Sequence, residues 1–396
     1  MTDQAAPEES EEMPEPAAKG ITSIPVAGIG GSAGGLEVFK HLLADLPADT
    51  GLGIVFVQHL DPKHHSLLRE ILGRATTMPV GEAANLMPVE ANHIYVISPN
   101  SDLTIAQGML RLAPRTQDQG PHMPIDRFLR SLAEECGSRA IGVILSGAGT
   151  DGAAGIQAIK AAGGVTFAQD QYTAKFASMP QAAVATNCVD FVLPPERIAA
   201  ELVRIGHHPY VADFSVAEQA PVHDGDEAAF AAILGSVHGA TGVDFSLYRE
   251  KTIRRRILRR LALRNIDSLA AYASRLDDDP DELTALQRDL LISVTSFFRD
   301  PGSFESLKNL AYPRILEGRP AHTPIRVWVP GCATGEEAFS IAISLSEHLS
   351  QMGASFGVQI FGSDISAQSI EKARLGRYLE NIATDMSAEQ IGRAHV

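Results

Sequence analysis

From Ile24 to about Ile205, short apolar runs alternate with stretches whose apolar positions recur at helical spacing. The runs Ile24–Ile29, Gly53–Gln58, His93–Ile97, Ala140–Leu145 and Gly164–Ala168 read as strands. Leu36–Leu46, Ser66–Gly73, Asp126–Cys136 and Ala153–Ala161 read as helices. Such alternation predicts a doubly wound α/β domain, a parallel sheet covered by helices on both faces. Leu103–Leu112 reads as a small antiparallel hairpin. Residues 229–318 carry helical spacing and no clear strand. From residue 319 strand and helix alternate again, in Ile325–Val329, Glu336–Ser350 and Val358–Phe361. The expected order is an α/β domain, a helical module and the start of a second α/β unit, with no internal repeat.

Two segments break the pattern and set the boundaries. Residues 1–20 are rich in Glu, Pro and Ala and read as a disordered acidic tail. Residues 206–228, with His207-His208-Pro209, Pro221 and Asp224-Gly225-Asp226-Glu227, read as a linker. The expected domains are therefore 21–205, 229–318 and 319–396. The 396 residues leave room for about two to four domains, and 45% hydrophobic with 20% charged residues is ordinary globular composition. A net charge of −15 argues against a nucleic-acid binder, which carries a basic face. The three cysteines lie far apart without metal-ligand spacing, so no metal site and a reducing compartment are expected. The N-terminus has no basic, apolar leader, and no apolar run reaches the ~18 residues of a membrane span. A cytoplasmic protein without membrane insertion is expected.

Candidate chemistry begins at Gly28-Ile29-Gly30-Gly31-Ser32-Ala33-Gly34-Gly35, between the first strand and the first helix. As Gly28-x-Gly30-x-x-Ala33 it is a loose dinucleotide fingerprint, but that motif wants an acid ending the second strand, and here the strand ends in Gln58-His59. As Gly30-x-Ser32-x-Gly34 it is a nucleophile elbow, with a helix N-terminus to favour an oxyanion. A plain glycine turn is the bland alternative. The combination shifts the balance. His59 ends the second strand and Asp151 follows a later one, so Ser32, His59 and Asp151 would meet at the carboxyl ends of parallel strands. The order Ser, His, Asp differs from that of α/β-hydrolases. His64 and His65, close after His59, read as solvated residues rather than ligands, and His122 as a packing residue. Ser146 and Thr150, flanking Asp151, read as turn residues or as groups that support it from behind.

With Pro121-His122-Met123-Pro124, Gly142–Gly155 and Ala168-Gln169-Asp170, these motifs make residues 24–200 resemble the CheB-type catalytic domain, the chemotaxis protein-glutamate methylesterase. The resemblance implies catalytic Ser32, His59 and Asp151, hydrolysis of glutamate methyl esters on methyl-accepting chemoreceptors, glutamine deamidation in the same site, and no cofactor for the esterase. Ala148 stands where the family usually has Met. An acidic tail of about twenty residues precedes the domain, where the family usually carries a phosphorylatable receiver of about 100 residues, so phosphorylation control of that kind is not expected.

A second loop, Pro330-Gly331-Cys332-Ala333-Thr334-Gly335-Glu336-Glu337, follows the strand at Ile325, and the next strand ends in Asp364, a carboxylate suited to two ribose hydroxyls. With Ser293-Val294-Thr295-Ser296-Phe297-Phe298-Arg299-Asp300 and Tyr248–Arg256, the chain from about Gly242 to Ser387 resembles the CheR-type receptor methyltransferase. That resemblance implies a Rossmann-like domain that uses S-adenosylmethionine, touched by Thr295, Arg299, Glu336 and Asp364. Ser293 stands where the family often has Asn. Only about seventy residues follow Ile325, room for roughly two βα units. A truncated, inactive methyltransferase is therefore expected.

Arg254, Arg255, Arg256, Arg259, Arg260 and Arg264 share a helix with the apolar stripe Ile253, Ile257, Leu258 and Leu261. They read as a solvated basic face, or more sharply as a face for acidic receptor helices. Three functions stay open: an esterase fused to a methyltransferase portion, a non-catalytic receptor-binding scaffold, and a nucleotide-dependent oxidoreductase. Oligomeric state is not legible.

Overall fold

A computed structural model describes residues 24–59, 67–115, 122–212, 224–291, 295–320 and 322–394. The acidic tail, His64, His65, Ser293 and residues 213–223 of the expected linker lie outside the described residues.

The first part is α/β. Its elements are β1 (Val26–Gly31), α1 (Gly35–Ala44), β2 (Gly53–Gln58), α2 (Leu68–Gly73), β3 (Val80–Glu82), β4 (Met87–Pro88), β5 (His93–Val96), β6 (Ser101–Ala106), β7 (Met109–Pro114), α3 (Pro124–Cys136), β8 (Ala140–Ile144), α4 (Ala153–Ala162), β9 (Val165–Gln169), α5 (Ser178–Ala185), β10 (Phe191–Leu193) and α6 (Pro195–Gly206). Seven strands form a parallel sheet in the order β10-β9-β8-β1-β2-β5-β3. Strands β4, β7 and β6 make a separate antiparallel sheet, with the expected hairpin at its edge.

Side chains alternate across the main sheet, as period 2 requires. Ala27, Ile29, Ile54 and Phe56 pack on α1 and α6, with Phe56 stacked on Phe39 at 4.3 Å. Val26, Val55 and Val57 pack on α3 and α4. Both faces are buried, which is why these strands read as nearly unbroken apolar runs. Strand β1 starts at Val26 rather than Ile24, since Pro25 has no N–H for the ladder. Strands β3 and β10, three residues each, are too short to show a period.

The expected linker is helical at both ends. Pro209–Ala212 forms α7, with buried Tyr210 donating to Gly163 O at 2.8 Å, and α8 (Asp224–Thr241) opens the helical part. Then come α9 (Glu250–Arg264), α10 (Leu269–Asp278) and α11 (Pro280–Leu290) around Ile233, Val237, Ile257, Tyr272 and Leu286. Ser268 caps α10 and Asp279 caps α11, each accepting from a first-turn N–H.

The arginine helix corrects the solvated-face reading. Arg259 is 0% exposed, and Arg256 and Arg260 are buried. Arg256 donates to Lys160 O and Ala161 O at 3.0 and 2.6 Å, so it caps the C-terminus of α4. Arg259 joins Asp190 of the α/β part to Asp289 of α11, and Lys160 bridges the same two carboxylates at 2.7 and 2.6 Å. Arg260 and Arg264 pair with buried Glu282. Arg254 pairs with Glu250 and Glu227. Arg256 and Arg259 are thus part of an internal interface and Arg260 is buried in the helical module, while Arg264 stays exposed.

The last part comprises α12 (Pro301–Ser306), α13 (Tyr312–Leu316), β11 (Ile325–Pro330), α14 (Glu336–Gln351), β12 (Val358–Ser363), α15 (Ala367–Leu375) and α16 (Ala388–Ala394). Strands β11 and β12 pair in parallel and put Trp328 opposite Phe361, 69% and 53% exposed. The fold class is α/β, followed by a helical module and a Rossmann-like start. Among the described residues no helix is long and apolar enough to cross a membrane.

Candidate active site

Three neighbouring strands in the order β2-β1-β8 deliver the three expected residues. Ser32 follows β1. The turn beyond it needs Gly34, at φ +77, where a Cβ would sit 3.0 Å from Ser146 Oγ. His59 follows β2. Asp151 closes the loop after β8, and Gly152, at φ +92, lets α4 start directly behind it. Parallel strands aim all three residues into one crevice. Ser32 Oγ lies 3.3 Å from His59 Nδ1, and His59 Nε2 lies 2.7 Å from Asp151 Oδ2. The ring therefore presents its Nε2–H to the carboxylate and its Nδ1 lone pair to the hydroxyl.

Asp151 is 1% exposed, yet each oxygen is partnered. Oδ2 accepts from Ile125 N at 3.0 Å and Oδ1 from Asp126 N at 2.8 Å. These donors belong to the first turn of α3, the electropositive end of that helix. Ser32 N–H is spent on Ser146 O at 3.0 Å. Among the described residues, no hydrogen bond is seen from the next N–H groups in the turn, those of Ala33 and Gly34, which makes them candidate donors to an oxyanion.

Several residues support the triad, and of these the sequence reading singles out only Ser146, as a turn or supporting residue. Ser146 donates to Ala33 O at 2.9 Å and accepts from Phe176 N at 3.0 Å, so it ties the nucleophile turn to a neighbouring loop. Gln169 Oε1 fixes Ser146 N at 2.9 Å. Asp126 is a second buried carboxyl beside Asp151. Its Oδ1 accepts from Gly155 N at 2.7 Å, while its Oδ2 is buried without a partner. Burial, then the charge of Asp151, pushes its pKa up to about 7. An acid in a first helical turn is commonplace in sequence, so nothing marked it. His122 pairs with buried Asp102 at 2.9 Å. Ala148 is exposed.

The dinucleotide reading fails on packing. A Cβ at Gly28 would lie 2.6 Å from Leu129 Cδ2, and one at Gly30 would strike Ile125. These glycines admit α3 to the sheet rather than a pyrophosphate to the backbone.

The second set divides between two cavities. One of about 510 Å³ is lined by Thr295, Arg299, Gly331 and Asp364. The other, of about 780 Å³, is lined by Thr295, Arg299, Glu336 and Tyr378. Gly331, Ala333 and Gly335 all take positive φ, and Ala333 N donates to Asp364 Oδ2 at 2.9 Å. Glu336 accepts from the Thr334 hydroxyl, and burial raises its pKa. An arginine, two carboxylates and the aromatic wall of Phe297 and Tyr378 suit the carboxylate, hydroxyls and ring of an adenosyl amino acid, so these residues fit the group.

Three family descriptions match the chain: CheB methylesterase over residues 27–202, the all-alpha domain of CheR methyltransferase over 228–291, and its SAM-binding domain over 293–395. An uncharacterized 104.1 kDa protein of Rhodobacter capsulatus is 36% identical over 340 residues, 81% of this chain and 35% of that protein. A putative protein-glutamate methylesterase/protein-glutamine glutaminase of Leptospira interrogans is 34% identical over 180 residues, 45% of this chain and 92% of the relative. The crystal structure of the Thermotoga maritima CheB methylesterase catalytic domain matches with 27% identity and a TM-score of 0.43, covering 46% of this chain and 98% of that one. The chain spans about a third of the Rhodobacter protein and about half of other curated methylesterases it matches.

Proposed function

The chain belongs to the CheB methylesterase family and continues into both segments of the CheR methyltransferase family, and we propose that it hydrolyses glutamate methyl esters on chemoreceptors through Ser32, His59 and Asp151. One observation carries the proposal: the unbroken hydrogen-bonded line from Ser32 Oγ through the His59 ring to Asp151. His59 Nδ1 takes the hydroxyl proton as Ser32 Oγ attacks the ester carbonyl. The Ala33 and Gly34 N–H groups receive the oxyanion. His59 then gives its proton to the departing methoxide, and methanol leaves an acyl-enzyme. Water, deprotonated by the same nitrogen, attacks that ester, which releases the glutamate carboxylate and restores Ser32. A glutamine side chain would follow the same path with ammonia as leaving group. Asp151 steadies the imidazolium and its tautomer throughout. The esterase step needs no cofactor.

For the transferase portion, Thr295, Arg299, Glu336 and Asp364 would hold S-adenosylmethionine, which supplies an electrophilic methyl group when bound. Arg299 would pair with its carboxylate and Asp364 would accept from ribose hydroxyls. The proposed domains are 21–205, 229–318 and 319–396, and the setting is the cytoplasm beside receptor signalling domains.

Ser32→Ala should abolish methanol release from methylated receptor, with unchanged folding by circular dichroism. Exposed Ala148, lacking the long side chain usual in the family, favours a second reading as a non-catalytic scaffold. A fluorophosphonate probe separates the two, because Ser32 of an active site labels and a relict site does not.

A further inference from the structure

The loop from β9 to α5 holds two aromatic side chains in water beside the nucleophile turn. Tyr172 is 89% exposed and Phe176 42%. The loop is braced at both ends. Asp170 Oδ1 accepts from Tyr172 N and Thr173 N at 2.9 and 3.0 Å, and Gln169 Nε2 donates to Thr173 Oγ1 at 3.2 Å. Phe176 N donates to Ser146 Oγ at 3.0 Å, and Phe176 O accepts from Gly147 N at 2.9 Å. A Cβ on Gly34 would lie 3.4 Å from Lys175 Cβ and 3.5 Å from Phe176 Cδ2, so both residues border the turn that carries Ser32. Lys175 is exposed, with its ammonium 5.8 Å from the centre of the Phe176 ring, and among the described residues no carboxylate pairs with it. Large apolar side chains left in water contribute no burial energy to folding, whereas rigid aromatics are what interfaces cover.

We propose that Tyr172, Lys175 and Phe176 form a docking edge for the protein segment that carries the glutamyl ester. The inference rests on the ester hydrolysis proposed above and adds the residues that select the substrate outside its reacting atoms. A chain whose ester carbonyl meets the Ala33 and Gly34 N–H groups passes beside Lys175 and Phe176, because these abut Gly34. The aromatic rings cover apolar side chains next to the ester. The edge offers a cation and no free anion, since Asp170 spends Oδ1 on two backbone N–H groups and Oδ2 on the Thr173 hydroxyl. The segment it fits is therefore an acidic polypeptide with apolar side chains, and Lys175 pairs with one of its carboxylates.

The test compares two substrates on the full 396-residue chain, methylated receptor and the γ-methyl ester of a single blocked glutamate, which has no neighbouring residues. The readout is the ratio of their kcat/KM values. Wild type should prefer the receptor, and Tyr172→Ala and Phe176→Ala should each lower the ratio by roughly tenfold, through KM for the receptor. Lys175→Glu should lower it at low salt and less at high salt, where exposed charges are screened. Equal losses on both substrates would mean that the loop only props the nucleophile turn, and an unchanged ratio would mean that the receptor docks elsewhere. Either result overturns the docking edge and leaves the hydrolysis standing. Wild type without activity on either substrate would overturn the hydrolysis and the edge with it.

Discussion

Asp126 gives its backbone N–H to Asp151 Oδ1 at 2.8 Å, so two buried carboxyls meet at the first turn of α3. They cannot both ionise cheaply in that space. Asp151 takes both helix N–H donors and faces His59, while Asp126 keeps one oxygen unpartnered. Burial and the neighbouring carboxylate together favour the protonated form of Asp126.

A pH dependence follows from that division. The pKa of Asp126 rises from 3.8 to about 7 on folding, through burial first and Asp151 second. The folded state then binds more protons than the unfolded chain between those values. The stability this group contributes is complete below about pH 4 and is lost as pH rises to about 7, a change on the order of 4 kcal/mol at most. Asp126→Asn keeps the acceptor for Gly155 N and removes the titration. Denaturant midpoints measured from pH 4 to 7 should fall less steeply in the variant, and an unchanged slope would assign the dependence to other groups.

Asp151→Asn tests the tautomer. An amide can turn its NH₂ toward His59 Nε2, which would move the ring proton to Nδ1, the nitrogen facing Ser32. The base would then present a proton where it needs a lone pair. The hydrolysis rate should fall by roughly 10⁴, the scale of such a tautomer error in serine hydrolases, with little change in KM. Rate retention within tenfold would show that Asp151 does not set the ring.

Much of this site was legible in the sequence because its parts sit where the pattern is strongest. Strands β1, β2 and β8 are buried on both faces, so their ends, and with them Ser32, His59 and Asp151, could be placed from apolar runs alone. Asp126 was illegible because a first-turn acid looks the same whether it meets water or a second carboxylate. The arginine helix misled for a related reason. Ile253, Ile257 and Leu261 pack on the helical module, but Leu258 and Ala262 pack on the esterase core, and Arg256 and Arg259 lie between these contacts. A periodic stripe identifies one buried face, whereas a second face buried by another domain leaves polar residues that mimic solvent exposure.

Gly147→Ala probes the close packing behind the nucleophile. A Cβ there would lie 2.9 Å from Ser32 Cβ and would strike the Met179 sulfur, which is fully buried. Ser32 must shift to make room, and a displacement of about 1 Å is enough to cost roughly 10²-fold in rate. Ester hydrolysis should fall by that order while fluorophosphonate labelling slows in parallel. Normal labelling with normal turnover would mean that the loop after β8 yields instead of Ser32.

The link between the esterase and the helical module should behave as a buried ion network. Burial opposes the charges of Asp190 and Asp289, but Arg259 and Lys160 outweigh it and hold both carboxyls below their ordinary range. Removing the 0% exposed Arg259 would leave two buried carboxylates with Lys160 as their main remaining partner. Arg259→Ala should therefore destabilise the chain by about 3–5 kcal/mol, far more than loss of the exposed Arg275–Asp279 pair. Because the folded pKa values are depressed, the network's stabilisation is present above about pH 4 and is lost as pH falls through those values. Acid should thus separate the helical module from the esterase before the esterase core melts. Urea unfolding of wild type at pH 7 should be one transition across this interface, and Arg259→Ala should split it in two, as monitored by hydrogen exchange of residues 250–290 for the helical module and by Ser32 labelling for the esterase. A single transition with a shift below 1 kcal/mol would show that apolar contacts around Leu258 and Ala262, not the ion network, hold the two parts together.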